Sequence, residues 1–179
     1  MKPHLELAKS HWKNHLKPDA TVIDATCGRG KDTLALLELV PEGQIIALDI
    51  QEEALKSCKE IILSSRVTFL LQSHVTLPSL PGVSLIVYNL GYLPGGDHQV
   101  TTLTSTTLQS VHQATTLLAP GGALSIMCYP GHPEGAREQE SLLNWAETLD
   151  PTRWKKSFYT WRAKSPNFLW VKSLETTKS

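Results

Sequence analysis

Three observations predict an α/β fold built on a doubly wound, mostly parallel sheet. Short apolar runs alternate with amphipathic helical patterns along nearly the whole chain. The first such run is followed at once by a tight glycine turn, Cys27-Gly28-Arg29-Gly30, that opens a helix. A second apolar run then ends in an acid, Asp49, about twenty residues beyond the turn, the separation expected of a ribose hydroxyl acceptor.

Taken in order, residues 5–16 have helical periodicity and place His11 and His15 four apart on one face. A zinc site needs three or four ligands, and Trp12 stands where a metalloprotease helix carries its Glu. A basic, partly exposed helix face is therefore expected, and no metal. Residues 21–25 form the first strand, and residues from Asp32 to Val40 the next helix, closed by Pro41-Glu42-Gly43. A strand over 44–48, a helix over 51–62 and a strand over 67–71 follow, the last leaving through Gln72-Ser73-His74. Residues 83–88 make a fourth strand, and Pro94, Gly95 and Gly96 stop it from continuing. A Thr-rich helix over 101–118 ends at Pro120-Gly121-Gly122, before a fifth strand over 123–128. A helix over 136–149 and two runs, 154–161 and 167–172, complete the chain, the runs reading as a hairpin.

Length and the absence of a linker or internal repeat predict a single domain over residues 1–179. Lysine and arginine number 17, as do the acids, so no global field draws the chain to nucleic acid or membrane. A basic footprint must then be local, and both ends supply one. Lys2, Lys9, Lys13 and Lys17 lie near the start, and Arg153, Lys155, Lys156, Arg162, Lys164, Lys172 and Lys178 face a single acid, Glu175, near the end. No apolar run approaches membrane-spanning length and no signal core opens the chain, which predicts a cytoplasmic protein. Cys27, Cys58 and Cys128 are odd in number and far apart in sequence, as suits reduced thiols.

The glycine turn separates two cofactors. A dinucleotide fingerprint wants G-x-G-x-x-G, and its third position here is Thr33. Asp24, Thr26, Gly28 and Gly30 instead resemble the spacing of S-adenosylmethionine enzymes, with Thr26 replacing one glycine. The competing reading makes Asp24 and Asp49 ordinary helix caps after βα strands. His74 lies where an adenine would be met in a doubly wound sheet, or it only caps its turn. Asn89, just after the fourth strand, falls at the topological switch point, and Asn89-Leu-Gly-Tyr92 resembles the Asn-Pro-Pro-Tyr element of amino methyltransferases without its prolines. Asp97 either faces the substrate or caps the loop. His132, among prolines and glycines, could accept a proton, bind phosphate or simply occupy a turn.

Asp24-Ala-Thr-Cys-Gly-Arg-Gly-Lys-Asp-Thr33, Asn89-Leu-Gly-Tyr-Leu-Pro-Gly-Gly-Asp97 and Tyr129-Pro-Gly-His-Pro-Glu-Gly135 together resemble the MnmM-type tRNA methyltransferases, once called putative rRNA methylases. The likeness runs nearly end to end, departing at Arg29 and Lys31, where relatives often have Asn and His, and at Ser165-Pro-Asn-Phe168, which is poorer in proline. It implies a Rossmann-like class I methyltransferase fold, a seven-stranded doubly wound sheet with one antiparallel strand. It also implies methyl transfer from S-adenosylmethionine to the aminomethyl nitrogen of 5-aminomethyl-(2-thio)uridine at the tRNA wobble position. Asp24, Thr26, Gly28, Gly30, Asp32, Asp49, Gln51, Ser73 and His74 become the expected cofactor side. Asn89, Gly91 and Tyr92 become the expected acceptor side, and Tyr92, Asp97, His132, Lys155 and Lys156 the residues expected to meet the tRNA anticodon region. No Cys matches the nucleophile of carbon-methylating uridine enzymes. Alternatives in view are an exocyclic-amino methyltransferase acting on rRNA or DNA, an NAD-dependent oxidoreductase, and a non-catalytic cofactor-binding RNA module; a homodimer is compatible with each.

Overall fold

The computed structural model describes residues 2–91 and 101–174. Its elements are α1 (Pro3–His15), β1 (Thr21–Asp24), α2 (Lys31–Leu39), β2 (Gln44–Asp49), α3 (Glu52–Ile61), β3 (Val67–Leu71), β4 (Val83–Asn89), α4 (Thr104–Leu117), β5 (Leu118–Cys128), α5 (Pro133–Glu147), β6 (Trp154–Tyr159) and β7 (Asn167–Ser173). The strands form one seven-stranded sheet in the order β3-β2-β1-β4-β5-β7-β6. The order reverses between β1 and β4, so the expected switch point is present. β7 runs antiparallel to both β5 and β6, while β1 to β5 pair in parallel. The predicted sheet and its one reversed strand are therefore found.

Strands buried on both faces read as unbroken apolar runs, because successive side chains alternate between two hydrophobic layers. Val22, Leu85 and Val87 enter one layer with Trp12, Leu36 and Leu55 of α1, α2 and α3. Their neighbours Ile23, Ile86 and Tyr88 enter the other, with Val111, Leu142 and Trp145 of α4 and α5. Both layers consist of side chains almost wholly removed from water. Burying each such side chain contributes roughly 1.5–3 kcal/mol.

Several boundaries shift from the sequence expectation for physical reasons. β5 starts at Leu118 and carries Pro120-Gly121-Gly122 inside it, because a register break against β4 between Val83 and Leu85 absorbs the breakers. α5 starts three residues early, with Pro133 in its first turn and the His132 side chain capping it. β6 stops at Tyr159, which leaves Thr160 to Pro166 as a connecting turn. Nor is the His11/His15 face a basic surface. His11 packs edge-on against Tyr159 and Phe168, and His15 Nε2 bonds the Ser84 carbonyl at 2.8 Å while its ring meets Trp170. Burial lowers the His15 pKa, which favours the neutral ring.

Candidate active site

The glycine turn sits at the carboxyl ends of β1 and β2, fastened on both sides. Ala25 N–H donates to the Val87 carbonyl of β4 at 2.9 Å, and Cys27 N–H to the Leu48 carbonyl of β2 at 2.8 Å. Gly28 and Gly30 both have positive φ, 53° and 87°. At Gly30 a side chain would be strained by that backbone and would stand 2.9 Å from Cys58 Sγ, so glycine is required there twice over. Cys27 and Cys58, far apart in sequence, bring their sulfurs to 3.7 Å beneath this turn, and both are buried.

Asp49 holds the turn from the next strand. One carboxylate oxygen accepts the Gly28 N–H at 2.9 Å and the other accepts the Gln51 N–H at 2.9 Å. Each oxygen keeps a second lone pair for a ligand. Gln51 thus enters through its backbone, as the residue preceding α3. Asp24 lies deeper than Asp49. It is 1% exposed, and it accepts the Thr33 hydroxyl at 2.7 Å and the Thr26 N–H at 3.3 Å. Burial, reinforced by the Asp32 charge, pushes its pKa up to about 7. It braces the turn from below. Thr33 stands at the third fingerprint position because a hydroxyl is needed there for Asp24; a glycine would leave that buried carboxylate short of a donor.

Thr26 and Asp32, both expected on the cofactor side, are tied to Asn89. The Asn89 N–H donates to Thr26 Oγ1 at 2.6 Å, and its Nδ2 donates to Asp32 Oδ2 at 3.3 Å. The two motifs, more than fifty residues apart, therefore form one constellation at the switch point. Burial raises the Asp32 pKa against the opposing Asn89 bond and the Lys9 charge. A small cavity of about 10 Å³ lies beside them, lined by Trp12, Asp32, Asn89 and Ser125. Trp12 Nε1 donates to Ser125 Oγ at 2.8 Å, which clamps α1 over this side of the site.

Gly91, with φ 115°, is held on both its backbone groups. Its N–H donates to Thr102 Oγ1 and its carbonyl accepts from Thr102 N–H, both at 2.9 Å. The Thr102 hydroxyl in turn donates to Glu138 Oε1 at 3.0 Å, and Thr107 donates to Glu138 Oε2 at 2.6 Å. Glu138 is 2% exposed. Neither Thr102 nor Glu138 is among the expected site residues. A signal existed for Glu138: it lies four and seven residues before Leu142 and Trp145, on the buried stripe of α5. Tyr129, quoted only as part of a motif, packs at Gly91, where an added Cβ would meet its ring at 3.9 Å.

Ser73 accepts the Val75 N–H at 3.1 Å and shapes the turn after β3. His74 is 7% exposed, lies edge-on to Tyr88 at 5.9 Å, and has its pKa lowered to about 4 by burial. It is a neutral ring whose Nε2 has no hydrogen-bond partner among the described residues. His132 Nδ1 accepts the Gly135 N–H at 3.2 Å, which makes it a helix cap at the lip of the site. Tyr92 and Asp97 lie outside the described residues.

Lys155 and Lys156 are not brought together. Neighbours on β6, they project to opposite faces. Lys156 pairs with Glu147 of α5 at 3.7 Å, and Lys155 stands opposite Lys172 on the other face. Both lie near the start of β6, at the end of the sheet away from Asn89. Among the described residues no group of His, Cys, Asp and Glu could hold a metal ion, and no helix is long and apolar enough to cross a membrane.

Comparison with known proteins gives one consistent answer. The chain is 34% identical over 166 residues to the Arabidopsis thaliana protein named tRNA (mnm(5)s(2)U34)-methyltransferase, chloroplastic; this covers 83% of the chain and 61% of that relative, so the chain spans about three fifths of its length. It superposes on a crystal structure from Clostridium thermocellum described as a "putative rRNA-methylase" with a TM-score of 0.90 and 29% identity, over 97% of this chain and 99% of that one. A "putative methyltransferase" from Streptococcus mutans, solved in complex with SAH, gives a TM-score of 0.86 and 28% identity over the same shares. Residues 45–172 match the family described as "Putative rRNA methylase", and with well over half its length inside that match the chain belongs to this family.

Proposed function

We propose that the chain transfers a methyl group from S-adenosylmethionine to the aminomethyl nitrogen of 5-aminomethyl-(2-thio)uridine at the wobble position of tRNA, meeting its substrate in the anticodon region. The observation that carries the reading is the fixed Asn89 side chain. Its Nδ2 is held by Asp32, and the Tyr129 hydroxyl bonds the same amide, so Oδ1 is the atom offered to accept a hydrogen bond from a substrate amine. The name of the Arabidopsis relative and the SAH in the Streptococcus complex support the same chemistry.

The residues present fit the cofactor. Gly28 and Gly30 make a turn without side chains, and Asp49 stands at the end of β2 with a lone pair to spare on each oxygen. S-adenosylmethionine supplies, when bound, an electrophilic methyl on a sulfonium. The chain's part is orientation: a neutral amine must be held in line with that methyl, and no covalent enzyme intermediate is needed. An ammonium has no lone pair, so the pocket must favour the neutral amine. Desolvation against the buried walls does this, while Asn89 Oδ1 and a backbone carbonyl near Leu90 accept the remaining N–H bonds and aim the lone pair. The rate should accordingly rise with pH through the bound amine's pKa.

The test is the acceptor. Purified tRNA carrying the aminomethylated wobble uridine should be methylated and the same tRNA with unmodified uridine should not, as read by mass spectrometry of nucleosides. Equal methylation of both would move the assignment to a base amino group of rRNA, tRNA or DNA. The cofactor half has its own test. Asp49→Ala should weaken S-adenosylmethionine binding about tenfold or more, because charge-assisted hydrogen bonds to the ribose are worth roughly 1.5–3 kcal/mol each. Unchanged affinity by calorimetry would remove Asp49 from the site.

A further inference from the structure

We propose that the β6–β7 turn, carrying Trp161, Arg162 and Lys164, forms with Lys2, which precedes α1, and Lys9, midway along it, the surface that grips an unpaired RNA loop beside the active site. The inference rests on the methyltransferase reading above and names where that substrate is held.

Topology puts the turn at the right end. β6 runs parallel to β5, since each is antiparallel to β7, so Tyr159 and Asn167 lie at the same end of the sheet as Asn89. Asn89 pairs with Met127, and Met127 with Phe168, which places the turn one step beyond the level of the acceptor residue. Direct contacts then link turn and site. A Cβ on Gly131 would stand 3.5 Å from the Lys164 carbonyl oxygen, so the turn backbone lies against the loop that carries Tyr129 and His132. Tyr129 in turn packs at Gly91. On the other side the Trp161 ring meets His4 of α1 at 5.9 Å and 67°, which seats the turn on the first helix.

Chemistry selects the partner. Residues 151–174 contain Arg153, Lys155, Lys156, Arg162, Lys164 and Lys172 and no acid. Of these, Arg162 and Lys164 are the two on the turn, both exposed. Lys2 is close enough to lower the His4 pKa alongside burial, and Lys9 close enough to act on Asp32, so their charges border the same rim. Trp161 keeps 36% of its surface exposed among these cations. Cations that follow a phosphate backbone, interleaved with an aromatic on which a base can stack, are the recognition elements of single-stranded nucleic acid. Lys155 and Lys172 serve as the internal contrast. They face each other at the far end of the hairpin, about five residues or roughly 16 Å along the strand from the turn.

The experiment measures tRNA affinity across a salt series for the wild type, Arg162→Ala/Lys164→Ala, Trp161→Ala and Lys155→Ala/Lys172→Ala, with S-adenosylmethionine affinity and melting temperature checking that each variant is folded. The turn pair should flatten the slope of log affinity against log salt by about 1.4–1.8 units, at roughly 0.7–0.9 per lost phosphate contact. Trp161→Ala should weaken binding about five- to a hundredfold at fixed salt and leave the slope alone. The far pair should change neither. A slope altered by the far pair and not by the turn pair, or by neither while the wild type binds tRNA, overturns the proposal and leaves the functional reading standing. A wild type that shows no salt-dependent tRNA binding overturns the functional reading itself.

Discussion

Asn89→Ala is expected to lower the single-turnover rate of methyl transfer by about a hundredfold or more while changing S-adenosylmethionine affinity only slightly. The asymmetry follows from where the amide is anchored. Its backbone N–H is fixed by Thr26 and its Nδ2 by Asp32, so the side-chain oxygen is held in place before any substrate arrives. Loss of a pre-positioned group at the reacting atom costs on the order of 10² in rate, because the amine is no longer held in an attack geometry. The glycine turn and Asp49 hold each other through Gly28 N–H and do not need the Asn89 side chain. Rapid-quench measurement at saturating tRNA and cofactor checks the first quantity, and calorimetry the second. A variant that loses cofactor affinity in proportion to rate would make Asn89 a cofactor ligand. A variant with an unchanged rate would remove it from the acceptor side.

The parts of this site that were legible in the sequence are those made by local chain. The glycine turn and the acids at the ends of β1 and β2 are written in consecutive residues, and the parallel strands announce themselves as apolar runs because both faces are buried. What escaped is whatever depends on the sheet bringing distant segments together. Asp24 reads as a charge at a strand end, yet the Thr33 hydroxyl and full burial turn it into a brace. His11 and His15 read as a basic face because their partners, Phe168 and Trp170, come from β7 at the other end of the chain. Cys27 and Cys58 meet only because α3 passes beneath the turn. That Lys155 and Lys156 face opposite ways was, by contrast, legible: two consecutive residues of a strand do so, as the pattern of β6 itself implied.

Glu138→Ala should be the most damaging change outside the glycine turn and Asn89, although Glu138 touches neither reactant. Its two oxygens accept the Thr102 and Thr107 hydroxyls where α5 packs on α4 and the segment before it, and Glu138 and Thr107 are buried there. Removing it leaves the buried Thr107 hydroxyl unmatched, at about 1–3 kcal/mol, and the half-buried Thr102 hydroxyl unmatched at a smaller cost, together with the space of the lost side chain. The thermal midpoint should fall accordingly. Thr102 also holds both backbone groups of Gly91, so the acceptor element should loosen and the methyl-transfer rate should fall by more than the lost stability explains, at temperatures where the variant is still folded. Glu138→Gln separates the two effects. An amide keeps the volume but offers one acceptor oxygen and an NH2 where two hydroxyls donate, so Thr102 or Thr107 must turn from donating to accepting. The pH dependence carries a sign as well. Burial raises the folded-state pKa of Glu138 above its ordinary 4.5, against the two hydroxyl bonds that lower it. A raised carboxyl contributes stability that is full below the unfolded pKa and is lost as pH rises through the folded one. Glutamine does not titrate. The stability advantage of the wild type over Glu138→Gln should therefore shrink as pH climbs from below 4.5 through that window, as measured by urea unfolding at each pH. An advantage that grows with pH instead would mean that the hydroxyl bonds outweigh burial, with Glu138 anchoring Gly91 through its charge.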